Sequence, residues 1–270
     1  MRNIRLTIAY QGTNYAGWQV QPNQPSVQGT IEAALNTLTG ESIRIHGAGR
    51  TDAGVHAIGQ VAHFSTSASI PPDRFAAALN SELPSDVIIR ESSEVPDGFH
   101  ARYSAVRKQY RFLIDTNALT PPWLRDLVWR VPGPIDEQAL CAGAQKLVGR
   151  YDFSAFESKS SPEEDSCRTI FEIDVTRQPI TLGWQYDHQV LAIAITADGF
   201  LYNMVRSIVG TLVQVAQGRW TADDVTRILN SRDRSQAGAT APPQGLTLMW
   251  VDYAGADQMS QHLQSCEAAQ

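Results

Sequence analysis

The chain has 270 residues, 43% hydrophobic and 19% charged, enough to bury a sizeable core and too apolar for wholesale disorder. No run approaches the roughly eighteen apolar residues of a membrane helix, the start MRNIRLTIAY lacks the pattern of a secretory signal, and Cys141, Cys167 and Cys266 lack metal or redox spacing. The net charge of −6 argues against a general nucleic-acid binder, yet 19 of the 22 basic residues are arginines, which suit phosphates and base stacking, so an RNA partner stays open.

In chain order, residues 2–11 alternate apolar and polar and predict a strand. Val27, Ile31, Leu35 and Leu38 recur at helical spacing, giving a helix over 26–39. Residues 43–48 and 59–66 read as short strands around a glycine-rich loop, Pro71-Pro72-Asp73 opens a second helix, and 86–95 is a strand. The order is β-α-β-β-α-β, a ferredoxin-like module. The second half repeats it. A strand over 104–115 precedes a helix over 136–148 stopped by Gly149, strands over 168–177 and 186–197, and an apolar helix over 201–217. Thr221 caps an extra helix, and 246–253 is the last strand. The expected fold is α+β, with module boundaries 1–103 and 104–253 and a tail over 254–270. The proline-rich segment 116–134 reads as an excursion over a binding face, and 157–166 as a polar loop.

The densest chemical feature is His46-Gly47-Ala48-Gly49-Arg50-Thr51-Asp52-Ala53-Gly54-Val55-His56. Its glycines allow close approach of a ligand. Asp52 can instead close an Asx turn with Arg50 in water. A metal reading would use His46, His56 and His63, but their gaps match no paired-histidine motif and no second carboxylate accompanies Asp52.

Arg206 is the only charged residue between Phe200 and Gly218, in a helix built from Leu201, Met204, Val205, Ile208, Val209 and Leu212. A cation buried there needs an anionic partner, and Asp52 is the natural one. The alternative puts Arg206 on a polar strip with Asn203, Gln214 and Gln217. Arg102, Arg107, Lys108 and Arg111 form a basic run free of acids, a candidate phosphate patch or a solvated strand face. Tyr110 within it is either a stacking platform or a core tyrosine.

The string Gly49-Arg50-Thr51-Asp52-Ala53-Gly54-Val55-His56 resembles the catalytic motif of the TruA family of tRNA pseudouridine synthases. Tyr10–Gln19, Asp97–Arg102, Lys108–Phe112, Phe200–Arg206, Gly245-Leu246 and Val251-Asp252-Tyr253 match further family segments in consistent order. The resemblance implies that Asp52 is the catalytic aspartate, Arg206 its partner, Tyr110 the ring stacked on the target base, and Leu246 a neighbour of the base or the aspartate, with Arg50 beside the substrate. It implies two ferredoxin-like modules side by side in an extended mixed/antiparallel sheet with helices on the outer faces. It also implies conversion of uridine to pseudouridine in the tRNA anticodon stem-loop, at positions 38–40, by a homodimer without metal or cofactor; the cysteine usage predicts a cytoplasmic location. Pro162-Glu163-Glu164-Asp165 departs from what an RNA-facing loop needs, because consecutive acids repel phosphate. Two rival readings are an inactive RNA-binding protein of this fold and a metal-dependent phosphodiesterase.

Overall fold

Alternation sets the first strand, β1 (Arg2–Tyr10), where Ile4, Leu6, Ile8 and Tyr10 share one buried face. The computed structural model describes residues 1–158, 165–180 and 188–253, and ten strands there form one mixed sheet. Ser26 caps α1 (Val27–Thr39) by accepting from the Gly29 N–H, and Gly40, at φ 71°, ends it. The strand expected over 43–48 shrinks to β2 (His46–Gly47). The cause lies in α1: the Glu32 carboxylate accepts from the Ile45 N–H and the Gln28 amide donates to the Ile45 carbonyl. The backbone that would have extended the ladder is therefore satisfied by side chains. After β3 (His56–Thr66), a 3-10 turn at Pro72–Arg74 leads into α2 (Phe75–Asn80), and β4 (Val87–Val95) follows.

The second half opens with β5 (Ala105–Asp115) and the short β6 (Trp129–Arg130), then α3 (Glu137–Gln145) capped by Asp136. Gly149 does not stop that helix, which ends at Lys146; at φ 131° it opens β7 (Gly149–Asp152), a strand the periodicity does not show. Strands β8 (Cys167–Ile180) and β9 (His188–Ala197) precede α4 (Met204–Ala216). This helix starts later than expected because Asn203 takes a left-handed conformation, φ 61°, at its N-cap. A Thr221–Asp224 capping box begins α5 (Ala222–Ser231), and β10 (Leu246–Tyr253) closes the described chain.

The strand order is β4-β1-β3-β10-β5-β9-β8-β7, with β2 on β3 and β6 on β5. Both β4-β1-β3-β2 and β10-β5-β9-β8 follow the fourth-first-third-second order of a βαββαβ unit, so the expected α+β sheet is present. The halves meet where β10 runs parallel to β3 and antiparallel to β5. That seam needs Gly59, because a Cβ there would lie 2.4 Å from the Met249 carbonyl oxygen. Register aligns Tyr10, Ala57, Leu248, Tyr110 and Ile195 across five strands, on the face against which α1 and α4 contribute to one continuous core.

The excursion 116–134 lines no part of the cleft described below, although its Trp129 and Val131 pack on the main core. Its Leu124 and Val128 close over Val190 and Leu113 in a separate small core.

Candidate active site

A cleft of about 990 Å³ opens over the central strands, with Trp18 and Gln28 on one wall, Met204, Val205 and Arg206 on the other, and Tyr110 and Leu246 beneath. The loop carrying Asp52 is held from several sides. The Trp18 N–H donates to the Thr51 carbonyl, the Tyr10 hydroxyl meets Thr51 Oγ1 at 2.7 Å, and Gln60 Nε2 donates to the Gly49 carbonyl. The Val55 N–H donates to the Asp52 carbonyl, closing a turn that Gly54 completes at φ 77°. Gly47 also makes room for Trp18, since a Cβ there would meet the Trp18 ring at 2.7 Å.

Arg206 is brought to Asp52 across 154 positions of sequence: Nη1 donates to Asp52 Oδ2 at 3.2 Å. The same Nη1 donates to Asn203 Oδ1 at 2.7 Å, and Nε donates to the Ala241 carbonyl at 2.7 Å, so the guanidinium is fixed from three directions. Among the described residues, this is the one hydrogen bond to the Asp52 carboxylate. Its side chain keeps 23% exposure, toward the cleft. Burial pushes the Asp52 carboxyl above the ordinary 3.8, although Arg206 pulls the other way. Guanidinium neighbours therefore act in the expected direction without winning. Arg50 is exposed and lines the cleft, and among the described residues the ion-pair partner of Asp52 is Arg206.

Tyr110 is buried, with Phe200 edge-on at 5.1 Å, and burial raises its hydroxyl far above its ordinary value. Leu246 is buried at the cleft floor. The basic run divides by strand parity. Lys108 shares the Tyr110 face and donates to the Ala48 carbonyl at 2.7 Å, tying the Asp52 loop to β5. Burial lowers the Lys108 ammonium to about 8, helped by nearby Arg102 and Arg168. Arg102 also lines the cleft, whereas Arg107 and Arg111 fall on the opposite strand face, Arg107 paired with Asp252 at 2.7 Å. Sequence periodicity missed Asn203, Phe200 and Trp18 as parts of the site, although the segments resembling the family contain all three.

The cleft carries Arg44, Arg50, Arg102, Lys108 and Arg206 against only Asp52 and Glu157, a local positive excess in a chain of net charge −6. The three histidines of the metal reading part company: His56 accepts from the Gly12 N–H and faces the Gln244 carbonyl at 3.2 Å, away from His46 and His63. Among the described residues no group of three His, Cys, Asp or Glu side chains is arranged to hold a metal ion.

The sequence profile of the tRNA pseudouridine synthase family matches residues 6–104 and 144–254. The chain belongs to that family. It is an RNA-modifying isomerase, and the synthase is similar along nearly its whole length to several relatives. The tRNA pseudouridine synthase A of Acetivibrio thermocellus is 47% identical over 253 residues, covering 94% of this chain and 100% of that protein. The protein of the same name from Caldicellulosiruptor saccharolyticus is 45% identical, with the same coverage of both chains. That of Bradyrhizobium diazoefficiens is 43% identical over 254 residues, again 94% and 100%.

Proposed function

We propose that the synthase isomerises uridines of the tRNA anticodon stem-loop, at positions 38–40, with Asp52 as the catalytic nucleophile or base. The observation that carries this reading is a carboxylate aimed into a cationic cleft and held by a single hydrogen bond from Arg206. A carboxylate so sparsely supplied keeps acceptor capacity for the reaction.

In this reading the target uridine first leaves its stack, at a cost of a few kcal/mol recovered in the pocket. Tyr110 takes the flipped base on its ring, with Leu246 alongside. The N1–C1′ bond breaks, the uracil turns, C5 bonds to C1′, and the C5 proton leaves while N1 gains one, so atoms and electrons balance without redox change. Asp52 reacts with the sugar or the base ring, or removes a sugar proton after cleavage. Arg206 holds the carboxylate in place and favours its charged form. The walls of the cleft keep the freed uracil from escaping while it turns. We further take the working form to be a cytoplasmic homodimer; no helix of the described residues is long and apolar enough to cross a membrane.

The test is tritium release from tRNA labelled at uridine C5, with the modified positions then mapped. Release at 38–40 by the native chain and none from Asp52→Ala is expected. Release by Asp52→Ala would remove the catalytic assignment. Release elsewhere in tRNA would remove the positional one. Binding without release would favour the inactive RNA-binder.

A further inference from the structure

The cleft holds a second group of side chains that the Asp52 chemistry does not use. His46, His63, His100 and Tyr103 are arranged ring against ring, with centroids 5.2 Å apart for His46–His63, 4.6 Å for His63–His100 and 4.4 Å for His100–Tyr103. The arrangement is anchored at its inner end. Phe99 meets His63 edge-on at 6.0 Å and packs on Tyr253 at 5.0 Å. Backbone donors fix two of the imidazoles: Ala101 N–H donates to His63 Nδ1, and Arg102 N–H and Tyr103 N–H donate to His100 Nδ1. A ring nitrogen that accepts carries no proton, so both rings are held neutral and in place. Burial, with His100 and His46 nearby, depresses His63 to about 4, which keeps it neutral at physiological pH.

The outer end of the cluster is different in kind. Tyr103 is 78% exposed, so its ring adds little to the core, yet His100 backs it at an interplanar angle of 34°. The Arg102 guanidinium lies 5.8 Å from its centroid. His46, His100, Arg102 and Tyr103 all line the cleft that contains Asp52. An exposed ring, rigidly backed and flanked by an arginine in a cationic cleft, has the chemistry that stacks an unpaired base beside its phosphate.

We propose that Tyr103, backed by His100 and flanked by Arg102, is a second base-binding subsite that stacks an unpaired nucleotide of the RNA substrate other than the reacting uridine. The proposal rests on the reading of the cleft as the tRNA site. It assigns to Tyr103 a share of substrate affinity and none of the bond-breaking, which belongs to Asp52.

The test compares Tyr103→Ala, Tyr103→Phe and the native chain by tritium release from C5-labelled tRNA, with KM and kcat resolved and melting temperature measured alongside. A hairpin RNA of the anticodon stem-loop carrying 2-aminopurine at each loop position in turn reports stacking directly. Tyr103→Ala is expected to raise KM about 5- to 100-fold with a much smaller change in kcat. It should also abolish 2-aminopurine quenching at one loop position, and Tyr103→Phe should restore both. An unchanged KM in Tyr103→Ala, or a Phe variant as weak as the Ala variant, overturns the subsite while leaving the catalytic reading intact. Absence of release by the native chain removes the catalytic reading, and the proposal with it.

Discussion

Asp52 and Asp115 are both aspartates withdrawn from water, and each lies 3.2 Å from a basic side chain, Arg206 and His188 respectively. Their surroundings differ in the number of donors. Asp115, at the end of β5, is fully buried and accepts from the Asn117 N–H, the Asn117 side-chain amide and the Thr120 hydroxyl as well as facing His188. Burial alone would raise its carboxyl, but the Thr120 and Asn117 hydrogen bonds outweigh it and leave the group below the ordinary 3.8. Asp52 has one donor and a raised value. A carboxylate saturated with donors is a fastening, here for the start of the 116–134 excursion. One left short of donors, beside a cleft, is available to a substrate.

The linkage has opposite signs at the two sites. The depressed Asp115 stabilises the fold above the ordinary 3.8, and that contribution is lost as pH falls through its lower folded value. The raised Asp52 favours the fold while protonated, and that contribution is lost as pH rises through its folded value. The synthase therefore gives up some stability at neutral pH to keep Asp52 ionised.

The largest expected effect breaks the comparison outright. Asp52→Asn should slow pseudouridine formation about 10³- to 10⁴-fold with little change in melting temperature. Asp115→Ala should do the reverse, lowering stability by about 3 kcal/mol and melting by roughly 5–10 °C with the rate per folded molecule retained. Calorimetry beside the tritium assay checks both. Next, Arg206→Gln should cost about 10²- to 10³-fold in kcat, read by single-turnover kinetics. A smaller loss is expected for Tyr110→Leu, about 5- to 100-fold in kcat/KM from lost stacking, and Tyr110→Phe should recover most of it. The smallest effect tests strand parity. Arg102→Gln should reduce the slope of log affinity against log salt by about 1, and Arg107→Gln, on the other face of β5, should leave the slope where it is.

Much of this arrangement can be read from sequence where a residue's partner is dictated by chemistry. Arg206 in an otherwise apolar helix calls for an anion, and Asp52 supplies it. Alternation places β1, and helical spacing places α1, within a residue or two. Features set by distant side chains are hidden. β2 is short because Gln28 and Glu32 of α1 occupy the backbone of Ile45, and no local pattern at 43–48 records that. The basic run looks like one patch in sequence, and the pleat of β5 divides it. The pairing of Asp115 with His188 is likewise hidden, because the two lie far apart in the chain. The ring cluster is hidden in the same way, with His46, His63 and His100 drawn from two strands and a loop.

The claim that Asp52 is held short of donors is tested most directly by the pH dependence of the single-turnover rate. In the proposed reaction the carboxylate is the active form, so the rate should fall on the acid side with a midpoint above the ordinary 3.8. In Arg206→Gln, where the opposing charge is gone, that midpoint should move to still higher pH. A rate that holds level down to the ordinary aspartate range, or an acid limb that stays in place when Arg206 is removed, would contradict the account.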